Sequence, residues 1–278
     1  MPPMARQPSS RPTSNFRDAI EAMRIKAPTR GNRRLETLLD AANSDKQLKA
    51  WWHSAQVNAN RLGMSDHSWI HIQIVVNIAL RLFRLLNRRG VEPDMVRVHG
   101  MQPQDAEVVI AAGCLLHDVG MGIHRTDHEA YSLFLAADKL PGLLERCYDE
   151  PERSLVAAEA MHAIIAHRRR GDPLTIEAGI VRVADALDMA QGRSRVPFES
   201  GRPNIHSLSD AAIEGVRIEP GEDKAVRIEI DMNNSAGVFQ IDELLATKLR
   251  GSGLEEQIEV IAQIDAEHEK RLVPVFRI

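Results

Sequence analysis

Cysteine and aromatic residues are scarce in this chain of 278 residues. Only Cys114 and Cys147 are present, which is too few for the disulfide framework that stabilises many small secreted proteins. Aromatic residues make up 4% of the chain, against 44% for apolar residues as a whole. We therefore expect a core built mainly from Leu, Ile, Val, Ala and Met. A chain of this length is expected to form one large domain or two small ones.

The sequence also lacks long apolar runs and a large excess of either charge. We find no apolar stretch of about 18 or more residues and no apolar signal core at the N-terminus, so we expect no membrane span and a cytoplasmic protein. The formal net charge is −4. This value argues against a nucleic-acid-binding surface over the whole protein, although it leaves room for a local basic patch. We therefore expect no membrane partner and no specific nucleic-acid partner.

Residues 1–34 have the composition of a basic tail. They are rich in Pro, Ser and Arg and contain eight Lys or Arg against two acidic residues. This composition favours a solvated, flexible arm, although residues 16–25 could form a short helix. Weak binding of an anionic partner is the alternative interpretation.

Helical periodicity dominates the next segment, so we predict a helical domain over residues 35–204. Gly90 is expected to end the longest helix. Helix starts are expected at these local signals: Ser65–Asp66, Pro103, a capping box of Thr126 with Glu129, Ser154, and Asp172 with Pro173.

Residues 205–278 show a different pattern, which predicts a small α+β module. "VRIEP" and "AVRIEIDM" predict a hairpin, "IDELLATKLRGSG" an amphipathic helix, and "IEVIAQI" and "LVPVFRI" two further strands. The predicted fold class is thus mainly α, with an all-helical core followed by this module.

The module holds no candidate metal ligand, so we expect it to do no chemistry. Its strand edges make it a plausible surface for a homodimer, and shaping the substrate entrance is the other expected role. The apolar residues Val238, Phe239 and Leu244 predict the contact stretch "NNSAGVFQIDELL". Packing of these three residues against the helical core is an equally good interpretation.

Imidazole and carboxylate groups occur on three apolar helical segments of the predicted core. His71, the adjacent pair His117–Asp118, and Asp185 all have core-type neighbours at helical spacing. Burying a lone charge is costly, and a metal ion is the economical partner for all of these groups. A carboxylate at a helix end can also bridge two ions. The alternative is a set of four unrelated buried polar residues.

This ordered set resembles the HD superfamily of metal-dependent phosphohydrolases. The similarity covers roughly residues 60–190 and includes "H-x-x-x-V-x-x-x-A" from His71 and "VADALD" around Asp185. It implies an all-helical core with His71, His117, Asp118 and Asp185 as metal ligands. It also implies attack by a metal-activated hydroxide on a phosphomonoester or phosphodiester, with a nucleotide as the expected small-molecule substrate. The chain departs from relatives with "HD-x-G-K", because Met121 occupies the lysine position.

Two further histidines resemble the extra ligands of two-metal members of that superfamily. His128 and His167 would hold a second ion, giving two divalent transition metals per chain, from Mn, Fe, Co, Ni or Zn. His162 precedes His167 by five residues and thus points about 140° away round a helix, so we expect it outside the site. His67 lies one turn before His71. It is interpreted either as a substrate-side acid or as a residue of the helix start.

Arginine guanidinium groups match the geometry of phosphate oxygens. Arg125 lies next to the "HD" loop, and together with Asp118 and His67 it completes the predicted catalytic set. We predict that substrate is bound by four further residues, for each of which a solvated surface position is the alternative: Arg168, Arg169, Arg193 and Arg195.

Two other functions fit the same ligand set. Some two-metal members of the superfamily are di-iron oxygenases, which would lose all turnover without oxygen. A non-catalytic nucleotide sensor would bind its ligand tightly without turnover under any divalent metal.

Overall fold

The computed structural model describes residues 15–64, 67–189 and 212–264. The first two ranges form a helical domain and the third a small three-stranded sheet with short helices, which confirms the predicted fold class. The helices of the domain are α1 (Phe16–Ala22), α2 (Arg33–Ser44), α3 (Lys46–Leu62), α4 (Trp69–Arg88), α5 (Asp94–Arg97), α6 (Pro103–Leu116), α7 (His128–Leu144), α8 (Glu152–Ala166) and α9 (Ile176–Leu187).

Helix α6 lies at the centre of the helical domain, and every residue from Asp105 to Leu116 is buried. It packs against α4, α8 and α9. Gly113 marks the close approach of α6 to α8 and α9, because a Cβ atom there would lie 3.1 Å from the Cβ of Ala163 and 3.3 Å from a methyl of Val181. One helical turn after this contact, the C-terminal ends of α6, α8 and α9 are therefore also close together, and the site lies at these ends.

Helix α4 is longer and more apolar than we expected from the sequence, which predicted no segment of membrane-spanning length. Its length and composition are sufficient for a membrane span, although 61% of its apolar 18-residue stretch is buried inside the protein. The short apolar runs of this segment are interrupted by single polar residues, which is why no continuous run was expected. Within the fold, α4 contributes eleven buried residues, including His71 and Arg84.

The second half of the predicted basic tail packs against the core. Met23 and Ile25 are 5% and 2% exposed. The Asn43 side-chain amide donates to the carbonyl of Ile25 at 2.9 Å, and the Asn43 side-chain oxygen accepts from the Ile25 N–H at 2.8 Å. The prediction of a flexible arm is therefore wrong for residues 15–34. Residues 1–14 lie outside the described residues.

Two predicted helix starts are displaced by a few residues. Asp127 precedes α7 with a left-handed backbone (φ 59°) and no side-chain cap, so the capping box of Thr126 with Glu129 does not form. Thr175 caps α9, and its hydroxyl accepts from the N–H of Ala178 at 3.2 Å. Several cap-type residues occur close together in both loops, and packing of the loop selects among them. The expected signal at residues 65–66 lies outside the described residues.

The C-terminal unit contains the predicted hairpin. Strand β1 (Ile213–Pro220) pairs antiparallel with β2 (Val226–Met232), and β3 (Ile258–Ile264) pairs with β2 in parallel. A crossover of short helices joins β2 to β3, as parallel neighbours require. It consists of α10 (Gly237–Gln240), a π-helical segment (Ile241–Ala246) and α11 (Thr247–Leu249). The strand expected at "LVPVFRI" lies outside the described residues.

The sheet shares one apolar core with the helical domain. Arg81 of α4 also donates its Nε hydrogen to the carbonyl of Ile218 in β1. In the predicted contact stretch, Val238 is 50% exposed, whereas Leu245 is 1% exposed and reaches the core. The sheet residues buried in the shared core are Ile213, Ile218, Val226, Ile228, Ile230, Met232 and Ile258.

Candidate metal centre

The buried run of α6 ends on the adjacent pair His117–Asp118. His117 is the C-cap residue of α6 and still has helical backbone angles, whereas Asp118 leaves the helix with φ −109° and ψ 3°. A 3₁₀ turn follows at Val119–Gly122. Side chains of adjacent helical residues diverge by about 100°, so the change of backbone direction lets both side chains face one interior region.

Gly120 holds this turn against the start of α7. A Cβ atom at Gly120 would lie 2.0 Å from the carbonyl oxygen of His128 and 2.5 Å from the backbone nitrogen of Ser132, so no side chain fits. The Ser132 hydroxyl donates to the carbonyl of His117 at 2.6 Å and accepts from the N–H of Gly120 at 2.9 Å. These contacts place His128 directly beside Asp118.

A first cluster consists of His71, His117 and Asp185, from α4, α6 and α9. The Nε2 atoms of the two histidines lie 3.2 Å apart. Asp185 Oδ1 is 3.3 Å from Nε2 of His71 and 3.7 Å from Nε2 of His117. All three residues are buried, and their potential ligand atoms lie within 4.8 Å of one another.

A second cluster consists of Asp118, His128 and His167 and meets the same distance limit. Asp118 Oδ1 lies 3.2 Å from Nε2 of His128 and 3.8 Å from Nε2 of His167. The other oxygen, Oδ2, lies 3.5 Å from Nε2 of both His71 and His117. One oxygen of Asp118 therefore faces each cluster.

Nδ1 of His128 lies near both the carbonyl of Arg125 at 3.1 Å and the Arg125 guanidinium at 2.9 Å. The other three cluster histidines have their outer ring nitrogen, Nδ1, bound to an oxygen acceptor. Such a partner holds the hydrogen on Nδ1 and leaves the lone pair of Nε2 directed into the cluster, which is the tautomer that ligates metals. The Nδ1 partners are Asp188 Oδ2 at 2.5 Å from His71, the carbonyl of Cys114 at 2.8 Å from His117, and the carbonyl of Ile164 at 2.5 Å from His167.

The charges of the site suit a divalent cation. Burial would raise the pKa of Asp118, but the surrounding imidazoles, His117 first, outweigh it and hold that pKa well below its usual range. Burial likewise opposes ionisation of Asp185, but the charge of Lys248 together with the contacts of His117 and His71 outweighs it, so this pKa is also low. Burial, helped by His117 and Lys248, places the pKa of His167 well below its usual value. The carboxylates are thus ionised and His167 is neutral near pH 7.

Two residues at the site were not predicted from the sequence. Asp188 follows Asp185 by three residues, a spacing that places both on one side of a helix and could have indicated it. Lys248 of α11 forms an ion pair with Oδ2 of Asp185. No local pattern distinguishes Lys248 from other lysines of an amphipathic helix. The C-terminal module, for which we predicted no metal ligand and no chemistry, thus places a charged side chain against a predicted metal ligand.

The other predicted residues surround the clusters at different distances. His67 is buried, with Nε2 4.0 Å from Oδ2 of Asp118. Nη1 of Arg125 lies 2.9 Å from Nδ1 of His128. Arg168 and Arg169 are exposed and line a groove at the ends of α7 and α8. Arg169 also pairs with Glu243 at 2.7 Å. Arg193 and Arg195 lie outside the described residues.

Two positions that the sequence singled out lie away from the ligand atoms. His162 belongs to neither cluster, and its Nε2 accepts from the N–H of Leu174 at 2.9 Å. Met121 occupies the position of the family lysine and is fully buried beside Ala55 and Ala59. The turn after "HD" therefore supplies no cation at this position.

The fold is mainly helical and brings six buried His and Asp residues together at its centre. These two features are typical of a helical metal-binding protein. Comparison with known families agrees, since the model described as "HD domain" matches residues 65–190. "Uncharacterized protein MJ1020" of Methanocaldococcus jannaschii is 36% identical over 240 residues, which cover 86% of this chain and 91% of that protein. The chain belongs to the HD-domain family, whose members are usually metal-dependent phosphohydrolases.

More distant similarity extends to proteins named Ribonuclease Y. The protein from Desulforamulus reducens is 31% identical over 152 residues, which cover 52% of this chain and 26% of that protein. The protein from Clostridium perfringens strain SM101 is 27% identical over 167 residues, 58% of this chain and 29% of that protein. The matched segment thus spans between a quarter and a third of the length of these two proteins.

Proposed function

We propose that this protein is a metal-dependent phosphohydrolase that cleaves a phosphomonoester or phosphodiester of a nucleotide. The observation that carries the proposal is the position of Asp118, with one carboxylate oxygen facing each of two three-residue clusters. A carboxylate between two ligand sets is the arrangement of a two-metal hydrolytic centre.

We propose two divalent ions per chain, held by His71, His117 and Asp185 and by His128 and His167, with Asp118 shared between them. The mixture of imidazole and carboxylate ligands suits Mn, Fe, Co, Ni or Zn. Three imidazoles are already oriented by their Nδ1 partners, so binding requires little rearrangement of the side chains.

Bound divalent ions would lower the pKa of water and offset the charge of a phosphoryl group. The side chains supply the other requirements of the reaction. Asp118 and Asp185 stay ionised and hold the centre together. His67 is the nearest imidazole outside the two clusters and is placed to give a proton to the leaving oxygen. Arg125, together with the exposed arginines after His167, offers forked donors to phosphate oxygens.

The names of the more distant relatives favour a phosphodiester in a ribonucleotide over a monoester. Those proteins are named as ribonucleases, and the similarity to their HD region covers 52% and 58% of this chain. The groove at the ends of α7 and α8 has three arginines, Arg168–Arg170, on one side and the carboxylates Asp127 and Glu129 at the start of α7. The excess of arginine suits a substrate with more than one phosphate. Cytoplasmic location and pairing into a homodimer stay predictions.

The test combines metal analysis with an oxygen-free activity screen. The screen uses bis(p-nitrophenyl) phosphate, p-nitrophenyl phosphate, nucleotides and a short oligoribonucleotide. We expect hydrolysis without oxygen, and we expect His117→Ala and Asp118→Ala to lose both metal and turnover. Full metal content in both variants would contradict the ligand assignment. Turnover that requires oxygen would instead identify a di-iron oxygenase, and tight nucleotide binding without turnover under any metal would identify a sensor.

The number of ions is tested separately. We expect His128→Ala and His167→Ala each to retain one metal per chain, because each removes a ligand of the second cluster only. His162→Ala is the matched control, since this histidine is near the same helix end but bonds to the N–H of Leu174, and it should retain both metals. An unchanged metal content in both test variants would show that His128 and His167 are not metal ligands and have only structural roles.

A further inference from the structure

Lys248 brings a largely buried positive charge from the C-terminal unit to the metal centre. Its side chain is 12% exposed and pairs with Oδ2 of Asp185. The other oxygen of that carboxylate, Oδ1, faces Nε2 of His71 and Nε2 of His117. The ammonium group and the first cluster therefore share a single carboxylate.

The backbone around Lys248 is fixed to the helices that carry the ligands. Arg182, one turn before Asp185 in α9, is 3% exposed. Its guanidinium donates to the carbonyls of Lys248 at 2.9 Å and Thr247 at 3.3 Å. The same guanidinium donates to the carbonyl of Arg168 at 3.0 Å, next to His167. The position of Lys248 is thus tied directly to α8 and α9.

The ammonium group has more donors than its protein partner uses. A lysine offers three N–H donors, and the hydrogen bonds within the described part of the chain provide Nζ with one acceptor, Asp185 Oδ2. The charge of Lys248 also acts on His167 in the second cluster. Lys248 therefore has donors beyond the one bound to Asp185, and they lie beside the first cluster.

The charge balance of the loaded centre favours an anionic ligand. Two divalent ions and Lys248 carry more positive charge than Asp118 and Asp185 neutralise, even when the adjacent carboxylates Asp188 and Glu129 are included. A buried positive charge without a counter-charge is costly. A phosphate group supplies the missing negative charge and several acceptor oxygens.

We propose that Lys248 binds a phosphate oxygen of the substrate at the metal centre, so that the C-terminal unit completes the active site. This assignment rests on the proposed phosphohydrolase function. The competing role is purely structural, with Lys248 holding Asp185 in position for metal binding. The two roles differ in what happens to metal content when the ammonium group is removed.

The test is titration calorimetry of inorganic phosphate with the Mn²⁺-loaded full-length protein, together with metal analysis. This readout does not depend on turnover. A hydrogen bond from a charged donor corresponds to roughly ten- to a hundredfold in affinity. We expect Lys248→Met to bind phosphate weaker by about that factor with unchanged metal content, and Lys248→Arg to restore part of the affinity.

Lys139→Met is the matched control. Lys139 is also 12% exposed and pairs with a carboxylate, Asp45 Oδ2 at 2.8 Å, but it lies eleven residues along α7 from His128. This separation corresponds to about 16 Å along a helix. Its phosphate affinity and metal content should match those of the wild type.

Three outcomes would overturn the proposal. These are equal phosphate affinity in the wild type and Lys248→Met, loss of metal in Lys248→Met, and absence of phosphate binding by the metal-loaded wild type. If Lys248→Met does not fold, the same comparison is made with Lys248→Gln, which keeps a polar side chain. Lysine-dependent phosphate binding without hydrolysis of any ester would contradict the proposed function and leave the role of Lys248 standing.

Discussion

Replacing Arg182 with methionine tests how strongly the C-terminal unit is attached to the metal centre. The Arg182 guanidinium contacts two segments at once, the end of α8 and the backbone of α11. Methionine keeps much of the aliphatic volume of arginine, so the change removes mainly the polar contacts. We expect a large loss of stability and detachment of α11.

The magnitude follows from the number of partly buried carbonyls that lose their donor. Four carbonyl oxygens lie 2.9–3.3 Å from the guanidinium nitrogens, and Arg182 is 3% exposed. A buried acceptor left without a partner costs about 1–3 kcal/mol, and partly buried acceptors that water can reach lie near the lower end of this range. Such costs also add incompletely within one network. We therefore expect the free energy of unfolding to fall by about 3–5 kcal/mol. A typical domain has about 5–15 kcal/mol in total, so the variant should still fold.

The assay is urea unfolding combined with amide hydrogen exchange of peptides that cover residues 166–170 and 246–250. We expect exchange to accelerate in both peptides, because both lose the same donor. Arg89→Met is the matched control, since the exposed Arg89 also donates to carbonyls of the C-terminal unit, those of Glu222 at 2.6 Å and Lys224 at 3.2 Å. Exposed contacts of this kind contribute little. If Arg182→Met loses no more stability than Arg89→Met and exchange is unchanged, the attachment argument fails.

Three further predictions concern other parts of the fold. Gly120→Ala should lower the yield of folded protein and strip metal, measured by circular dichroism and metal analysis, because the new methyl group would overlap the backbone of His128. Burial opposes ionisation of Asp45, but the bond and charge of Lys139 together with the backbone N–H groups of Leu48 and Gln47 outweigh this and lower the carboxyl pKa. Its stabilisation is therefore present above the unfolded pKa of about 3.9 and is lost as the pH falls through the lower folded value. Urea midpoints below about pH 4 should consequently fall more steeply for the wild type than for Asp45→Asn, and equal slopes would contradict this. Deletion of residues 205–278 should yield insoluble protein, because the sheet shares the core of the helical domain; a soluble, metal-loaded product would show that the core closes without it.

Local patterns were sufficient for the helical domain and for the chemical nature of the site. Helical periodicity repeats every few residues, so a single segment reveals the buried face of α4, and the nearly continuous apolar character of α6 and α9 indicates helices buried on all sides. The same segments carry His71, the pair at 117–118 and Asp185, and a buried carboxylate or imidazole requires a partner wherever the helix lies. The hairpin of β1 and β2 was equally accessible, because its two strands are adjacent in sequence.

Only the tertiary structure decided which distant groups complete the site. Lys248 meets Asp185 across 63 residues of chain, and Arg182 connects α8 to α11 across a similar separation. Such pairs leave no periodic signal, since they depend on how two separately formed units pack. The same applies to the parallel pairing of β3 with β2 and to the docking of Met23 and Ile25 on the core. Contacts within one element follow from spacing along the chain, whereas contacts between elements follow from the burial of their apolar faces against one another.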